Sequence, residues 1–131
     1  MREILFRGKR KDNNKWIFGN LNFYPDINRA FIRITPKEMA SKLGTLETEV
    51  KKDTVCQYTE LLDREGNKVF ENDVMKFTDE DGYDSYYFVE WRENKYIVVS
   101  AENSSAIDEL DRFFCDNAVV VGNKFDWKPE A

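Results

Sequence analysis

The most reactive side chains in this sequence are those of two cysteines, because the chain of 131 residues contains no histidine. The lack of histidine removes the commonest general base, the Ser-His and Cys-His nucleophile pairs and most zinc and iron sites. Cys56 and Cys115 stand in apolar segments, which favours two reduced, semi-buried thiols over a disulfide or an activated thiolate. We therefore expect no enzymatic activity and no catalytic residue.

A run of carboxylates around Gly82 is the second candidate for chemistry. Its members are Asp79, Glu80, Asp81 and Asp84. Their spacing differs from the EF-hand pattern, and no glutamate follows at the position of a bidentate calcium ligand. The six glycines of the chain are scattered and form no phosphate-binding loop. We expect a solvated hairpin turn here, with no metal and no cofactor.

The basic side chains are concentrated near the amino terminus, although the net charge of the chain is -5. Residues 1–20 carry six basic and two acidic side chains, whereas residues 60–94 carry four basic and eleven acidic ones. The candidate contacts for a phosphate group or for a partner are Arg7, Lys9, Arg10 and Lys11. The negative net charge disfavours non-specific binding of nucleic acid. The pattern is compatible with solvated strands, with charge complementarity between subunits and with a local phosphate-binding patch.

The densest aromatic segment, residues 83–91, is a candidate interface. Alternation along a strand puts Tyr86 and Phe88 on one face and Tyr87 and Trp91 on the other. A small barrel buries only one face of a strand fully. The other face must be covered by the rest of the protein or by another subunit, or form an exposed groove for a peptide or single-stranded nucleic acid. The candidate interface residues are Tyr86, Tyr87 and Trp91.

Short strands dominate the predicted secondary structure. Aromatic and β-branched residues at 3–7 and 15–24 predict a β-hairpin with a longer loop, in which Gly19 forms a bulge. Further strands are predicted at residues 30–34, 55–58, 68–70, 74–77, 86–91, 96–100 and 118–121. Strands this short and this frequent are typical of small barrels. The predicted fold class is therefore mostly β, either all-β or α+β.

One or two short helices complete the predicted elements. Thr35-Pro36-Lys37-Glu38 is typical of a helix start. Apolar residues follow it at helical spacing, at Met39, Leu43, Leu46 and Val50, and this stripe can face the core or dock a partner. A second helix is predicted over residues 106–114, with Ser104 or Ser105 as its cap and with Ile107, Leu110 and Phe114 on one face.

The length and composition indicate one small globular fold. We expect residues 1–53 to hold the amino-terminal strands and the helical insertion, and residues 54–131 to hold the barrel half and the second helix, in one compact unit. No segment approaches the roughly 20 apolar residues of a membrane helix, and the first residues do not resemble a signal peptide. We therefore expect a cytoplasmic protein without a membrane partner.

An ordered set of short segments is the most specific feature of the sequence. The segments are Arg2-Glu3-Ile4-Leu5-Phe6-Arg7-Gly8-Lys9, Trp16-Ile17-Phe18-Gly19, Asp53-Thr54-Val55-Cys56-Gln57-Tyr58-Thr59, the stretch from Asp63 and Gly66 to Lys68-Val69-Phe70-Glu71 and Asp73-Val74, and Val121-Gly122-Asn123-Lys124-Phe125. Together they resemble the YopX-like family of small bacteriophage and prophage proteins. The resemblance runs from residue 2 to about residue 126, with residues 35–52, 78–87 and 101–117 as variable connections.

The resemblance implies a mostly β fold whose second half is similar to SH3-like barrels. The family usually has glycine where Cys56, Glu60 and Asn72 stand in this chain. Because asparagine tolerates the left-handed backbone conformation, Asn72 can keep the turn that a glycine would make. Asp73 is then expected to accept hydrogen bonds from the N–H groups of that turn. The resemblance implies no catalytic residue, no metal ligand and no cofactor.

These observations favour a phage accessory protein that binds a phage or host protein, or assembles with itself into a homo-oligomer. The alternative is a nucleic-acid-binding phage regulator that uses the basic amino-terminal patch. The two hypotheses differ in a measurable way, because binding through phosphate contacts weakens steeply with salt.

Overall fold

The computed structural model describes residues 2–34 and 47–127. The chain is mostly β, which confirms the predicted fold class, and it divides into two compact units, Met1–Tyr58 and Thr59–Ala131. The elements are β1 (Phe6–Lys9), β2 (Trp16–Tyr24), β3 (Arg29–Arg33), β4 (Glu47–Val50), a 3-10 turn (Lys52–Thr54), β5 (Cys56–Leu62), β6 (Lys68–Phe70), β7 (Asp73–Thr78), β8 (Asp84–Arg92), β9 (Lys95–Ser100), β10 (Ile107–Glu109), α1 (Arg112–Asp116) and β11 (Ala118–Asn123). No helix among these residues is long and apolar enough to cross a membrane.

The first unit holds strands β4, β3, β2 and β1 and the start of β5, which are neighbours in that order in an antiparallel sheet. The sheet closes on itself between β1 and β4, because Arg10, just after β1, forms an antiparallel bridge with Val50 at the end of β4. The Lys51 N–H donates to the Lys9 carbonyl at 2.8 Å on the same seam. This pairing covers the outer edge of β4, as in a small closed barrel. The core of the unit consists of Ala30, Ile32 and Val50, with Phe6, Ile17, Leu21 and Val55 packed around them.

Gly19 belongs to a continuous strand rather than to the predicted bulge. It pairs in register with Phe6 of β1, and the next residue, Asn20, pairs with Arg33 of β3. A Cβ atom at Gly19 would overlap the Arg33 carbonyl group. Glycine is required here because the backbone of β3 approaches closely, which a sequence pattern cannot distinguish from a bulge.

The second unit contains a five-stranded antiparallel sheet in the order β10-β9-β8-β7-β11. Its pairings keep the alternation of side chains, so one face supplies Met75, Val89 and Val98 to the core. The short helix α1 adds Phe114 and Cys115 to that core. The apolar side chains that alternate along neighbouring strands therefore meet on one face of the sheet, and their contacts form the core of the second unit.

The two predicted helices have different outcomes. Residues 35–46, where the first was expected, lie outside the described residues, but Val50 of its predicted stripe is a buried strand residue. The second prediction is wrong over its first half, because Ile107–Glu109 pairs with β9 as strand β10. Helix α1 begins only at Arg112, and its cap is Asp111, whose carboxylate accepts from the Phe114 N–H at 2.8 Å. Pairing with the free edge of β9 thus overrides the apolar spacing of this segment.

Candidate functional site

The candidate interface strand β8 has one face in the core and one face covered by the same chain. Tyr87 lies among the core side chains, with its ring 5.2 Å from that of Phe114 in an edge-to-face contact. On the other face Tyr86 and Phe88 contact Trp127, at ring separations of 5.7 Å and 6.0 Å. Both faces of this part of the strand are therefore occupied by residues of the second unit.

Trp91 differs from the other two candidates because it is 50% exposed. Its ring packs edge-to-face on Tyr96 of β9 at 4.7 Å, which fixes its orientation while half of its surface stays in contact with solvent. Arg92 and Glu90, its neighbours in sequence, form an ion pair at 2.8 Å. Of the three candidate interface residues, Trp91 is therefore the one that solvent reaches most.

The basic patch near the amino terminus is largely engaged within the first unit. The Arg7 guanidinium lies 4.8 Å from the centre of the Trp16 ring, and Arg7 is only 7% exposed. Lys9 contacts the same ring at 5.6 Å. Arg10 donates two hydrogen bonds to the Asp12 carboxylate, at 2.9 Å and 2.7 Å. A phosphate group would have to compete with these contacts.

Lys11, the fourth residue of the patch, belongs to a network centred on Glu49. Its ammonium lies 2.8 Å from the Glu49 carboxylate, which also accepts two hydrogen bonds from Arg29. The bond from Arg29 and then the bond from Lys11 lower the pKa of Glu49 to about 2. The carboxylate is therefore ionised at neutral pH and neutralises part of the positive charge around it.

The turn before β7 places Asn72 and Asp73 in structural roles. Asn72 adopts a left-handed conformation with a φ of 67°, and its N–H donates to the Val89 carbonyl at 2.8 Å. Asp73 is buried, and its carboxylate accepts from the Phe70 N–H at 2.7 Å. The bond from Asn72 holds the start of β7 against β8, and the bond to Asp73 ties the same point to the end of β6.

Neither cysteine resembles a catalytic thiol. Both are buried and reduced. Burial, together with the nearby carboxylates of Asp111, Asp116 and Asp63, raises the pKa of Cys115 to about 11. A thiol with so high a pKa is almost entirely protonated at neutral pH and is a poor nucleophile.

The carboxylate run near Gly82 forms a turn. The Asp79 carboxylate accepts from the Asp81 and Tyr83 N–H groups, at 2.9 Å each, and the Asp84 carboxylate accepts from the Thr78 hydroxyl at 2.7 Å. Across residues 2–34 and 47–127, no group of three or more acidic or thiol side chains is arranged to hold a metal ion. These carboxylates therefore serve the hairpin between β7 and β8.

Asp63 is a buried, hydrogen-bonded carboxylate, and the sequence gives no reason to propose it as a site. Its side chain is buried, and its two carboxylate oxygens accept from the N–H groups of Glu65, Asn67 and Val120 and from the Asn67 amide. Burial raises the pKa of Asp63, but these hydrogen bonds outweigh it and leave the pKa below its usual range. The spacing Asp63 to Gly66 indicates the turn, whereas nothing in the sequence indicates the bond to Val120, 57 positions away.

The family model described as YopX protein matches residues 5–129. No curated protein matches the chain.

Proposed function

The chain belongs to the YopX protein family, and we propose that it acts as a protein-binding module that assembles with itself, as an accessory protein of a bacteriophage or prophage in the bacterial cytoplasm. The observation that carries this proposal is the division of charge between the two units. The first unit has 12 Lys and Arg against 7 Asp and Glu, a net charge of +5, and the second has 8 against 18, a net charge of -10.

Opposite charge on two units of one chain favours contacts between copies. The positive unit of one copy attracts the negative unit of another, and such complementarity speeds encounter and sets the orientation of the pair. In a homo-oligomer with closed symmetry, every subunit makes each of these contacts. The attraction acts over roughly a Debye length, about 8 Å at physiological salt, so it weakens as salt is added.

Trp91 is the residue that best fits the centre of such a contact. Tyr86 and Tyr87 are covered by their own unit, whereas Trp91 is half exposed and held in place by Tyr96. Tryptophan is among the residues that most often contribute more than 1 kcal/mol to an interface. The binding energy then comes from the aromatic contact, and the charge division contributes orientation and rate.

The alternative of a nucleic-acid-binding regulator has weaker support. Arg10 and Lys11 already form ion pairs with Asp12 and Glu49. A phosphate that displaced these carboxylates would recover little free energy, because one charge-assisted contact replaces another. The Cys115 thiol, with a pKa of about 11, is a poor nucleophile at neutral pH.

Size-exclusion chromatography with light scattering tests the proposal. The chain has a mass of 15.5 kDa, and we expect a multiple of that mass at low salt, with an absorbance spectrum free of nucleic acid. The Trp91→Glu variant should have a lower mass at the same concentration. The matched control is Phe113→Glu, which places the same charge on a residue that is 71% exposed and should leave the mass unchanged.

Two results would contradict the proposal. A monomer under all salt conditions would remove self-assembly. A monomer that elutes with nucleic acid at low salt and loses it at high salt would favour the alternative, and the variants Arg10→Ser and Lys11→Ser would then identify the contacts.

A further inference from the structure

The outer face of the first unit's sheet combines aromatic and basic side chains. Residues directly opposite each other on neighbouring strands point to the same face of a sheet. Arg7 lies opposite Phe18, and Lys9 lies opposite Trp16, so these four side chains share one face of β1 and β2. The intervening Ile17 points to the other face and packs against the core. The face that points away from the core is therefore basic and aromatic where β1 meets β2.

The same outer face continues across β3 and β4 and keeps a positive net charge. Its further side chains are those of Asn20, Asn22, Tyr24, Arg29, Phe31, Arg33, Glu47 and Glu49. The Glu49 carboxylate is paired with Arg29 and with Lys11. The Glu47 carboxylate accepts a hydrogen bond from the Tyr24 hydroxyl at 3.0 Å. With Lys11 counted, the described part of this face carries five basic and two acidic side chains, a net charge of +3.

Two aromatic side chains of this face remain in contact with solvent. Phe18 is 47% exposed, and Tyr24 is 41% exposed. The Arg29 guanidinium lies 5.3 Å from the centre of the Phe31 ring. Together with the two cations beside Trp16, it places positive charge next to exposed aromatic surface. The partner that fits such a face is acidic and presents an aromatic side chain of its own.

The tip of the hairpin between β7 and β8, residues 79–83, has this chemistry. The tip contains no lysine or arginine, and it carries three carboxylates, those of Asp79, Glu80 and Asp81. Tyr83, the last residue of the tip, is 72% exposed. The tip therefore presents negative charge and an aromatic ring to solvent, which is the complement of the outer face of the first unit.

Hydrogen bonds hold the hairpin tip in a defined turn. The Asp79 N–H donates to the Tyr83 carbonyl at 3.0 Å, and the Gly82 N–H donates to the Asp79 carbonyl at 3.1 Å. The Asp79 carboxylate accepts from two further N–H groups of the tip. A tip that is already ordered loses less conformational entropy on binding than a mobile loop does. The carboxylates of Glu80 and Asp81 are exposed on this turn.

We propose that the hairpin tip of one copy docks on the outer face of the first unit of another copy. The carboxylates of the tip then meet the basic side chains of the face, and Tyr83 packs against the exposed surface around Phe18. A second copy is the occupant that the charges favour, because the first unit has a net charge of +5 and the second a net charge of -10.

This inference rests on the proposed self-assembly and names the two surfaces that provide its charge-dependent part. Trp91 lies near the other end of β8, roughly 25 Å from the tip at about 3.3 Å per strand residue. The contact of the tip and the contact of Trp91 can therefore be tested by separate variants.

Charge reversal on each surface tests the contact in the full chain. The tip variant is Glu80→Lys/Asp81→Lys, which keeps the turn-forming carboxylate of Asp79. The face variant is Lys9→Glu/Arg33→Glu, because these side chains lie on either side of Phe18 on the outer face. At low salt we expect each variant to self-associate about tenfold more weakly than wild type, with a smaller loss at high salt, where the charges are screened. Light scattering over a series of protein concentrations measures the association.

A one-to-one mixture of the two variants is the most specific measurement. In the mixture the basic tip of one variant meets the acidic face of the other, and the acidic tip of the second meets the basic face of the first. We expect the mixture to regain wild-type association to within about threefold. The matched control is Glu65→Lys/Glu102→Lys, which changes the net charge by the same amount on two exposed residues outside the tip and should leave self-association unchanged.

Phe18→Ser tests the aromatic part of the contact without a change of charge. We expect self-association about tenfold weaker at low and at high salt, because an aromatic side chain in the middle of an interface contributes more than its charged neighbours. Ile27→Ser is the control, since Ile27 is 55% exposed in the turn between β2 and β3 and lies outside the outer face. Circular dichroism confirms that each variant is folded.

Four outcomes would overturn the proposal. Equal weakening by the tip variant and by its control would show general charge attraction, and a mixture that stays as weak as its components would show that the two surfaces do not meet. A wild-type oligomer that depends on Trp91 but not on the tip would overturn this contact alone, whereas a monomeric wild type would overturn self-assembly as well. Binding of a single-stranded oligothymidine that the face variant abolishes would assign the face to nucleic acid.

Discussion

Replacement of Asp63 is the change for which the structure gives the most detailed expectation. The side chain is 5% exposed, and its Oδ1 accepts from the Glu65 and Asn67 N–H groups at 2.9 Å and 2.8 Å. Its Oδ2 accepts from the Val120 N–H at 2.9 Å and from the Asn67 amide at 3.2 Å. Asp63→Ala removes all four bonds and leaves the Val120 N–H, at the edge of β11, without its acceptor.

The size of the effect follows from which donors can reach water. Glu65 and Asn67 are exposed, so water replaces the carboxylate there and the loss is about 1 kcal/mol. The Val120 N–H is partly buried, and the loss of a charged acceptor at such a group costs about 2 kcal/mol more. We therefore expect Asp63→Ala to lower the free energy of unfolding by about 3 kcal/mol. Asp63→Asn should be nearly as unfavourable, because its amide would face N–H donors at one end of the side chain.

Asp79 supplies a matched control for the contribution of burial. Its carboxylate accepts from the N–H groups two and four residues later, as that of Asp63 does, but its bonds lie in an exposed turn. Asp79→Ala should therefore lower the free energy of unfolding by only about 1 kcal/mol or less. Urea denaturation followed by circular dichroism measures both variants, and the difference reports the bond from Val120 together with the bond from the Asn67 amide.

The pH dependence gives an independent check on the same residue. Because hydrogen bonds keep the pKa of Asp63 below its usual range, its contribution is present above the unfolded pKa of about 4 and disappears as the pH falls through the folded pKa. The gap between wild type and Asp63→Asn should shrink on acidification below about pH 4. Equal losses for the Asp63 and Asp79 variants, or a gap that is constant down to about pH 2, would refute the reasoning.

Three further expectations follow from other parts of the chain. Gly19→Ala should lower the free energy of unfolding by about 3 kcal/mol or prevent folding, because its Cβ would overlap the Arg33 carbonyl group. Gly82 has open space around it and a φ of 85°, so Gly82→Ala should lower the free energy of unfolding by only about 1 kcal/mol. Thermal unfolding measures both variants. Glu93→Asn should raise stability by about 0.5 kcal/mol in urea denaturation, because Glu93 adopts a φ of 50° that asparagine tolerates better; Glu93→Ala should give no gain. Cys115 should resist alkylation by iodoacetamide at pH 8 until denaturant is added, because its thiol is buried and its pKa is about 11.

The strands could be predicted from the sequence because their signal is local. Alternation of apolar and polar residues fixed the faces of β8 correctly, with Tyr86 and Phe88 on one side and Tyr87 on the other. The helix over 106–114 was mispredicted because Ile107, Leu110 and Phe114 satisfy a helical period by coincidence. Their real environment is set by the edge of β9, which the local pattern does not encode.

The candidate sites depend on contacts between distant parts of the chain, and the sequence carries little signal for these. Asp63 and Val120 are 57 positions apart in sequence, and the bond between them forms where the Arg64 N–H also ties the turn after β5 to Ala118 of β11. The same limit applies to charge. The sequence shows the cluster of basic residues, but the ion pair of Lys11 with Glu49 depends on the bridge between Arg10 and Val50, which brings the end of β1 beside β4.

Trp127 explains why the aromatic excess of β8 does not by itself indicate an interface. A strand with aromatic side chains on both faces needs other residues packed against each face. The sequence does not tell whether the residues on the second face come from the same chain or from another subunit. Tyr86 and Phe88 pack against Trp127, and Lys124, three residues earlier, lies over the Phe88 ring at 5.4 Å. Self-association through β8 must therefore use the end of the strand that this segment does not cover, where Trp91 is exposed. A charged substitution at Tyr87 would disrupt the core of the second unit and would not report on assembly.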